Sequence, residues 1–217
     1  MFADDTSLFV IVEQPHAAAD LLQDDIRKIS SWAEKWLVTF NPSKSESLIV
    51  SRKRFRQPHP PLTMLGEQIP EVQEHKHLGV FLSNDCSWHS HIDYVTEKAW
   101  KRVNIMRKLK FSLDRKALEI IYISCIRPLL EYADVVWTNC TKYEMDRLDK
   151  IQHECARIAS GASKLVSLEM LQEEINWESL TNRRYKHRLT LFYKMYTNET
   201  PNYLSSVIPQ PTENRYN

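Results

Sequence analysis

Glycine is scarce. The 217 residues hold three, Gly66, Gly79 and Gly161, where average usage would give about fifteen. They lie far apart, so no glycine-rich loop can cradle a phosphate and no Gly-x-Gly-x-x-Gly turn can open a dinucleotide fold. Nucleotide enzymes of those two kinds are excluded. Cysteine is sparse as well. Cys86, Cys125, Cys140 and Cys155 are too dispersed for a zinc site built on cysteine pairs. No secretory signal is recognised ahead of them, so the expectation is reduced thiols in an intracellular protein, nuclear or cytoplasmic and not secreted. Long apolar runs are missing: Leu8–Val12 falls far below the roughly 20 residues of a membrane helix, and no membrane partner is expected. Net charge is missing too. Lys and Arg number 29 against 28 Asp and Glu, leaving +1, so only local clusters can select a polyanion. What remains is 42% hydrophobic and 26% charged, ordinary for a globular chain of one large domain or two small ones.

Periodicity divides that chain near residue 83. Before it, 7–12 read as a short buried strand, apolar and β-branched. A helical pattern runs from about His16 to Val38, with Leu21, Leu22, Ile26, Ile29, Trp32, Ala33, Trp36 and Leu37 on one stripe. Asn41-Pro42 marks a turn, 47–51 a second strand, and 52–61 a basic, proline-rich linker. Residues 62–65 and 69 predict short strands around Gly66, and 75–83 hold another. Beyond Asn84 the period is helical. Ile92, Val95, Ala99, Val103, Met106 and Leu109 form one stripe. Leu118, Ile121, Tyr122, Cys125, Leu129 and Leu130 form a second, which Pro128 should kink near Arg127. Met145, Leu148, Ile151, Cys155, Ile158 and Ala159 form a third, closed by Gly161. A weaker helix follows over 182–196, then a tail expected to fray.

Phe2-Ala3-Asp4-Asp5 stands directly before the first apolar run. Adjacent carboxylates suit hard cations, and two-metal nucleotidyl transfer needs such ligands. Alone, an Asp-Asp step near a terminus is ordinarily a solvated turn. The rest of the chain gives it context. The tetrapeptide resembles the catalytic hairpin of reverse transcriptases. Trp32-Ala33-Glu34-Lys35-Trp36 and Asn41-Pro42-Ser43-Lys44-Ser45-Glu46 resemble the helix–turn–strand that follows it in non-long-terminal-repeat (LINE-type) retrotransposons. His77-Leu78-Gly79-Val80, ending in Leu82-Ser83, is similar to their primer-grip hairpin. Ile126-Arg127-Pro128-Leu129-Leu130-Glu131-Tyr132-Ala133, then Val136-Trp137, resembles the thumb helix of the jockey-like group. Leu148-Asp149-Lys150-Ile151-Gln152, Arg157-Ile158, Arg183-Arg184 and Phe192-Tyr193-Lys194 continue the likeness.

The resemblance implies an α+β fold: an incomplete reverse-transcriptase palm over 1–83, a helical thumb over 84–162, and a C-terminal helical connector and tail over 163–217. It implies Asp4 and Asp5 as catalytic and metal-binding residues, with Lys44 as a general acid or phosphate-positioning group. It implies Mg²⁺ as cofactor and an RNA template with a DNA primer as partners in a complete enzyme. The fingers and the further palm aspartate of such enzymes have no counterpart here. A C-terminal fragment, binding metal weakly and inactive alone, is therefore expected.

Two basic clusters are candidates for phosphate contact. Arg52, Lys53, Arg54 and Arg56 surround Phe55. Lys98, Lys101, Arg102 and Lys108 fall within roughly a third of a helix circumference. A charged helix face is more often only a solvated one. His75, His77, His89 and His91 gather no further ligand types and read as ordinary histidines. Two alternatives to the polymerase fragment stay open: a nucleic-acid-binding module without chemistry, and a helical protein-interaction fragment. Oligomeric state is not legible.

Overall fold

The computed structural model of the chain describes residues 6–11, 15–53, 59–205 and 207–208. Asp4, Asp5, Arg54, Phe55 and Arg56 lie outside them. The chain forms two compact units, Met1–Trp88 and His89–Asn217.

The first unit combines one long helix with short sheets. Helix α1 (Pro15–Lys35) buries Ala19, Ile26 and Ala33. Strand β1 (Ser47–Leu48) pairs in parallel with β4 (Glu71–Val72). Strands β2 (Thr63–Met64) and β3 (Glu67–Gln68) form a hairpin, as do β5 (Glu74–His77) and β6 (Val80–Ser83). Both hairpins turn on a Leu-Gly pair at positive φ, Leu65-Gly66 at 53° and 85° and Leu78-Gly79 at 46° and 85°. That is the pattern of the type I′ turns whose twist matches paired strands. Ala19 and Ile26 pack with Leu62 and Ile69, flanked by Leu22 and Met64. Gln23 ties α1 to β2 as a strand edge would: its amide donates to the Thr63 carbonyl at 2.9 Å and accepts from the Thr63 amide at 2.8 Å.

Two expectations for this unit are corrected. Residues 7–11 of the strand expected over 7–12 are not in a sheet, and Phe9 and Ile11 stand 85% and 91% exposed. β-Branched composition favours extended backbone, but a strand also needs a neighbour's N–H and C=O groups, and none pairs with this segment among the described residues. The stripe of α1 is also only partly buried. Leu21, Trp32, Trp36 and Leu37 are exposed, and the helix ends at Lys35.

The second unit is helical: α2 (His89–Leu109), α3 (Arg115–Ile121), a π-helical turn (Tyr122–Ile126), α4 (Arg127–Glu131), α5 (Lys142–Ser160), α6 (Leu168–Ile175), α7 (Leu180–Tyr196) and α8 (Asn202–Ser205). Helices α2 and α5 form its centre, with α3 and α6 against α5 and α4 against α2 and α7. Ile92, Val95, Ala99, Val103 and Met106 of α2 meet a core that includes Leu148, Ile151, Cys155 and Ala159 of α5. Thr141 and Glu144 form a reciprocal capping box at the start of α5, and Gly161 ends it at φ 73°, the left-handed position that costs glycine least.

The helix break expected near Arg127 takes the form of the π turn. The Arg127 amide donates to the Tyr122 carbonyl, five residues back. One extra residue per turn resets the buried face, so Leu118, Tyr122, Ile126 and Leu130 line the core at intervals of four. Cys125, placed on the buried stripe by strict α periodicity, is instead exposed. Helix α6 has no counterpart in the sequence pattern: it is short, and its start rests on one Ser167 cap, whose side chain accepts from the Met170 amide.

Candidate nucleic-acid interface

The four cations of α2 differ in their surroundings. Lys98 reaches back to the Tyr94 hydroxyl at 2.6 Å, with its ammonium 4.6 Å from that ring's centre. Lys101 pairs with Glu97 at 2.5 Å. Arg102 donates to the Cys125 carbonyl in the π turn. Lys108 is exposed in the last turn of the helix. Lys98 and Lys108 thus stand as cations without an ion pair among the described residues, whereas Lys101 is half-neutralised and Arg102 clamps a neighbouring helix.

In the first unit, Lys44 closes the short 3₁₀ turn Pro42–Lys44. The Asn41 side chain shapes that turn by accepting from the Ser43 amide at 3.0 Å and the Ser43 hydroxyl at 2.7 Å. Lys44 itself is exposed, as are Arg52 and Lys53. The His77-Leu78-Gly79-Val80 segment is the tip of the β5–β6 hairpin, with His77 opposite Val80. Val80 is buried while Leu78 points outward at 40% exposure. His75 contacts Glu46 at 2.8 Å, so it serves the unit's own structure. Among the described residues no group of three or more His, Cys, Asp or Glu side chains could hold a metal ion.

A buried polar junction, which no local sequence period pairs, joins α4, α5 and α7. Arg183 grips Glu131 through two nitrogens, Nε to Oε1 and, at 3.0 Å, Nη2 to Oε2. This raises the Arg183 pKa above its ordinary value, Glu131 being the main cause. Arg184 is 5% exposed. Its Nη1 donates to Asp149 at 3.3 Å, and its guanidinium lies 5.5 Å from the centre of the buried Trp137 ring. Burial pushes the Asp149 carboxyl up despite that cation. His91 also neighbours Trp137, at 5.9 Å between ring centres, and burial pushes its pKa down, favouring the neutral imidazole. His187 contacts the buried Asp134 at 2.7 Å. Gln152 donates to the Glu178 carbonyl at 2.9 Å and accepts from the Leu180 amide at 3.2 Å.

The junction pairs no nucleophile with a base. Its chemistry is positional: charge-assisted contacts fix three helices against one another. The signal available in the sequence is that Glu131, Asp149, Gln152, Arg183 and Arg184 fall within the segments that carry the resemblance, though nothing local pairs them.

Known proteins share this sequence pattern. The chain is similar to the probable RNA-directed DNA polymerase from transposon BS of Drosophila melanogaster, 21% identical over 189 residues and 86% of the chain. It is similar to the corresponding protein of transposon X-element from the same organism, 27% identical over 191 residues and again 86% of the chain. The RNA-directed DNA polymerase from mobile element jockey of Drosophila funebris matches 74% of the chain at 27% identity. The match thus runs over most of the sequence at low identity. The chain spans about a fifth of the length of these curated relatives: 21%, 21% and 18%. No family model matches the sequence, and no solved structure does.

Proposed function

We propose that this chain is the C-terminal part of a reverse transcriptase of the non-LTR, jockey-like kind, and that its helical unit grips the primer–template duplex. The observation that carries the reading is the likeness to several such polymerases along 86% of the chain. In this reading 1–83 supply palm and primer-grip elements, 84–162 the thumb, and 163–217 the connector. Lys98 and Lys108 on α2 would meet phosphates. Such contacts give affinity without base selection, as a polymerase that must hold every sequence requires. Asp4 and Asp5 would hold Mg²⁺ in a complete enzyme, where the ion would stabilise developing charge on transferring phosphate oxygens.

Alone, the chain is expected to bind without extending a primer. Two-metal transfer needs carboxylates fixed by a rigid scaffold, and the relatives are about five times longer. The test is duplex binding across salt. Affinity should fall steeply between about 50 and 200 mM salt. Lys98→Ala with Lys108→Ala should lower that slope by about one for each phosphate no longer engaged. A salt-independent curve would sink the duplex grip. Metal-dependent primer extension abolished by Asp4→Ala would overturn the inactivity. A second reading, protein docking, is favoured by one observation: Leu21 and Trp32 on α1, with Trp36 just past its end, are exposed apolar side chains. Concentration-dependent assembly without nucleic acid would support it.

A further inference from the structure

Helix α7 carries five Lys and Arg residues in its 17 and no acidic residue, in a chain whose charges nearly cancel as a whole. Its first turns are consumed by the polar junction. On another face the helix presents Tyr185, Leu189, Phe192 and Tyr196, each 49–61% exposed. Their spacing of four, three and four puts all four within about 60° of arc at 100° per residue, one continuous row along the helix. Arg188 flanks the row, its guanidinium 5.7 Å from the centre of the Tyr185 ring, and no ion pair ties Arg188 to a carboxylate among the described residues. Tyr193, 62% exposed, borders the row on the other side with Lys186. Lys186 pairs with Glu178 at 2.5 Å but is itself largely exposed, so solvent and salt weaken that pair.

We propose that this row is a stacking platform for single-stranded nucleic acid, a site separate from the α2 cations. Three aromatic rings beside free positive charge suit unpaired bases, whose faces stack on the rings while phosphates meet the cations. A duplex cannot use the row, because its base faces are already stacked inside the helix. A second copy of the chain is disfavoured, since two α7 helices side by side would oppose like charges. The inference rests on α7 alone and stands whether or not α2 grips a duplex.

The test uses the full chain and a labelled oligo-uridine of about 12 nucleotides, with a blunt duplex measured in parallel. The triple variant Tyr185→Ala, Phe192→Ala, Tyr196→Ala should lose at least about tenfold in single-strand affinity while duplex affinity holds. All three positions are exposed, so helicity and thermal midpoint should be unchanged. Tyr185→Phe with Tyr196→Phe should retain binding, because the stacking ring survives. Arg188→Gln should reduce the salt slope. The proposal falls if the wild-type chain does not bind the oligonucleotide, or if the triple variant binds as tightly as wild type. It falls too if the triple variant loses duplex and single strand equally. It also falls if sedimentation shows that the row holds copies of the chain, or an added acidic peptide helix, in preference to the oligonucleotide.

Discussion

The buried Arg184 and the half-buried Asp149 form an ion pair, 3.3 Å from Nη1 to Oδ1, that links α7 to α5 beside the Trp137 ring. The Nε and Nη2 atoms of Arg184 find no hydrogen-bond partner among the described residues. Desolvating a guanidinium this fully is costly, so the pair contributes more to fixing one arrangement of helices than to net stability. Removing one member should be severe. Arg184→Ala strands Asp149 and should cost about 3–5 kcal/mol. Arg184→Met with Asp149→Leu should cost far less than the two single changes summed, as a calorimetric double-mutant cycle would register.

Glu144 makes a second, pH-sensitive contribution. Burial alone would raise its pKa. The Thr141 hydroxyl and amide, with His89 at 2.6 Å, outweigh that and hold the carboxyl below its ordinary value of 4.5. A depressed carboxylate adds stability above its unfolded pKa and loses it as pH falls through the folded value. Urea midpoints should therefore drop as pH falls below about 4.5. Glu144→Gln should flatten that drop, and Thr141→Ala should cost about 1 kcal/mol at neutral pH through the missing cap.

The cysteines should separate by reactivity. Burial pushes the Cys155 thiol up to about 12 and Cys140 to about 11, whereas Cys125 is exposed on the π turn. A thiolate-selective reagent near pH 8 should modify Cys125 first and reach Cys155 only on unfolding, as peptide mapping would resolve. The raised thiols also act on stability at high pH. Their contribution is complete below about 9 and declines as pH climbs toward about 12.

The sequence is most readable where local chemistry and tertiary burial agree. Helix α5 shows its apolar stripe and its glycine stop in the residue pattern, and the structure realises both. Reading fails where a partner decides. Residues 7–11 have strand composition without a strand to pair with among the described residues. The α1 stripe has apolar residues, Trp32 and Trp36 among them, that stay exposed. Arg102 has the look of a phosphate contact because its face is cationic, yet the π turn lies close enough to take its donor. The junction is hidden for the same reason: Glu131 and Arg183 are 52 positions apart, and no local period connects them. Asp4 and Asp5, the residues on which polymer chemistry would turn, lie outside the described structure.

The π turn lets the segment before Pro128 carry one residue more than a regular helix would need. Deleting one residue between 123 and 125 would let the backbone wind evenly, and the core positions Leu118, Tyr122, Ile126 and Leu130 would then be spaced four, three and four, the ordinary period of one helix face. Glu131 would keep facing Arg183 and Leu130 would stay in the core, whereas a deletion in the regular helix before the π turn would swing every later side chain by about 100°. The surplus residue is thus a slack position, one that the rod can lose without changing the phase between its two halves.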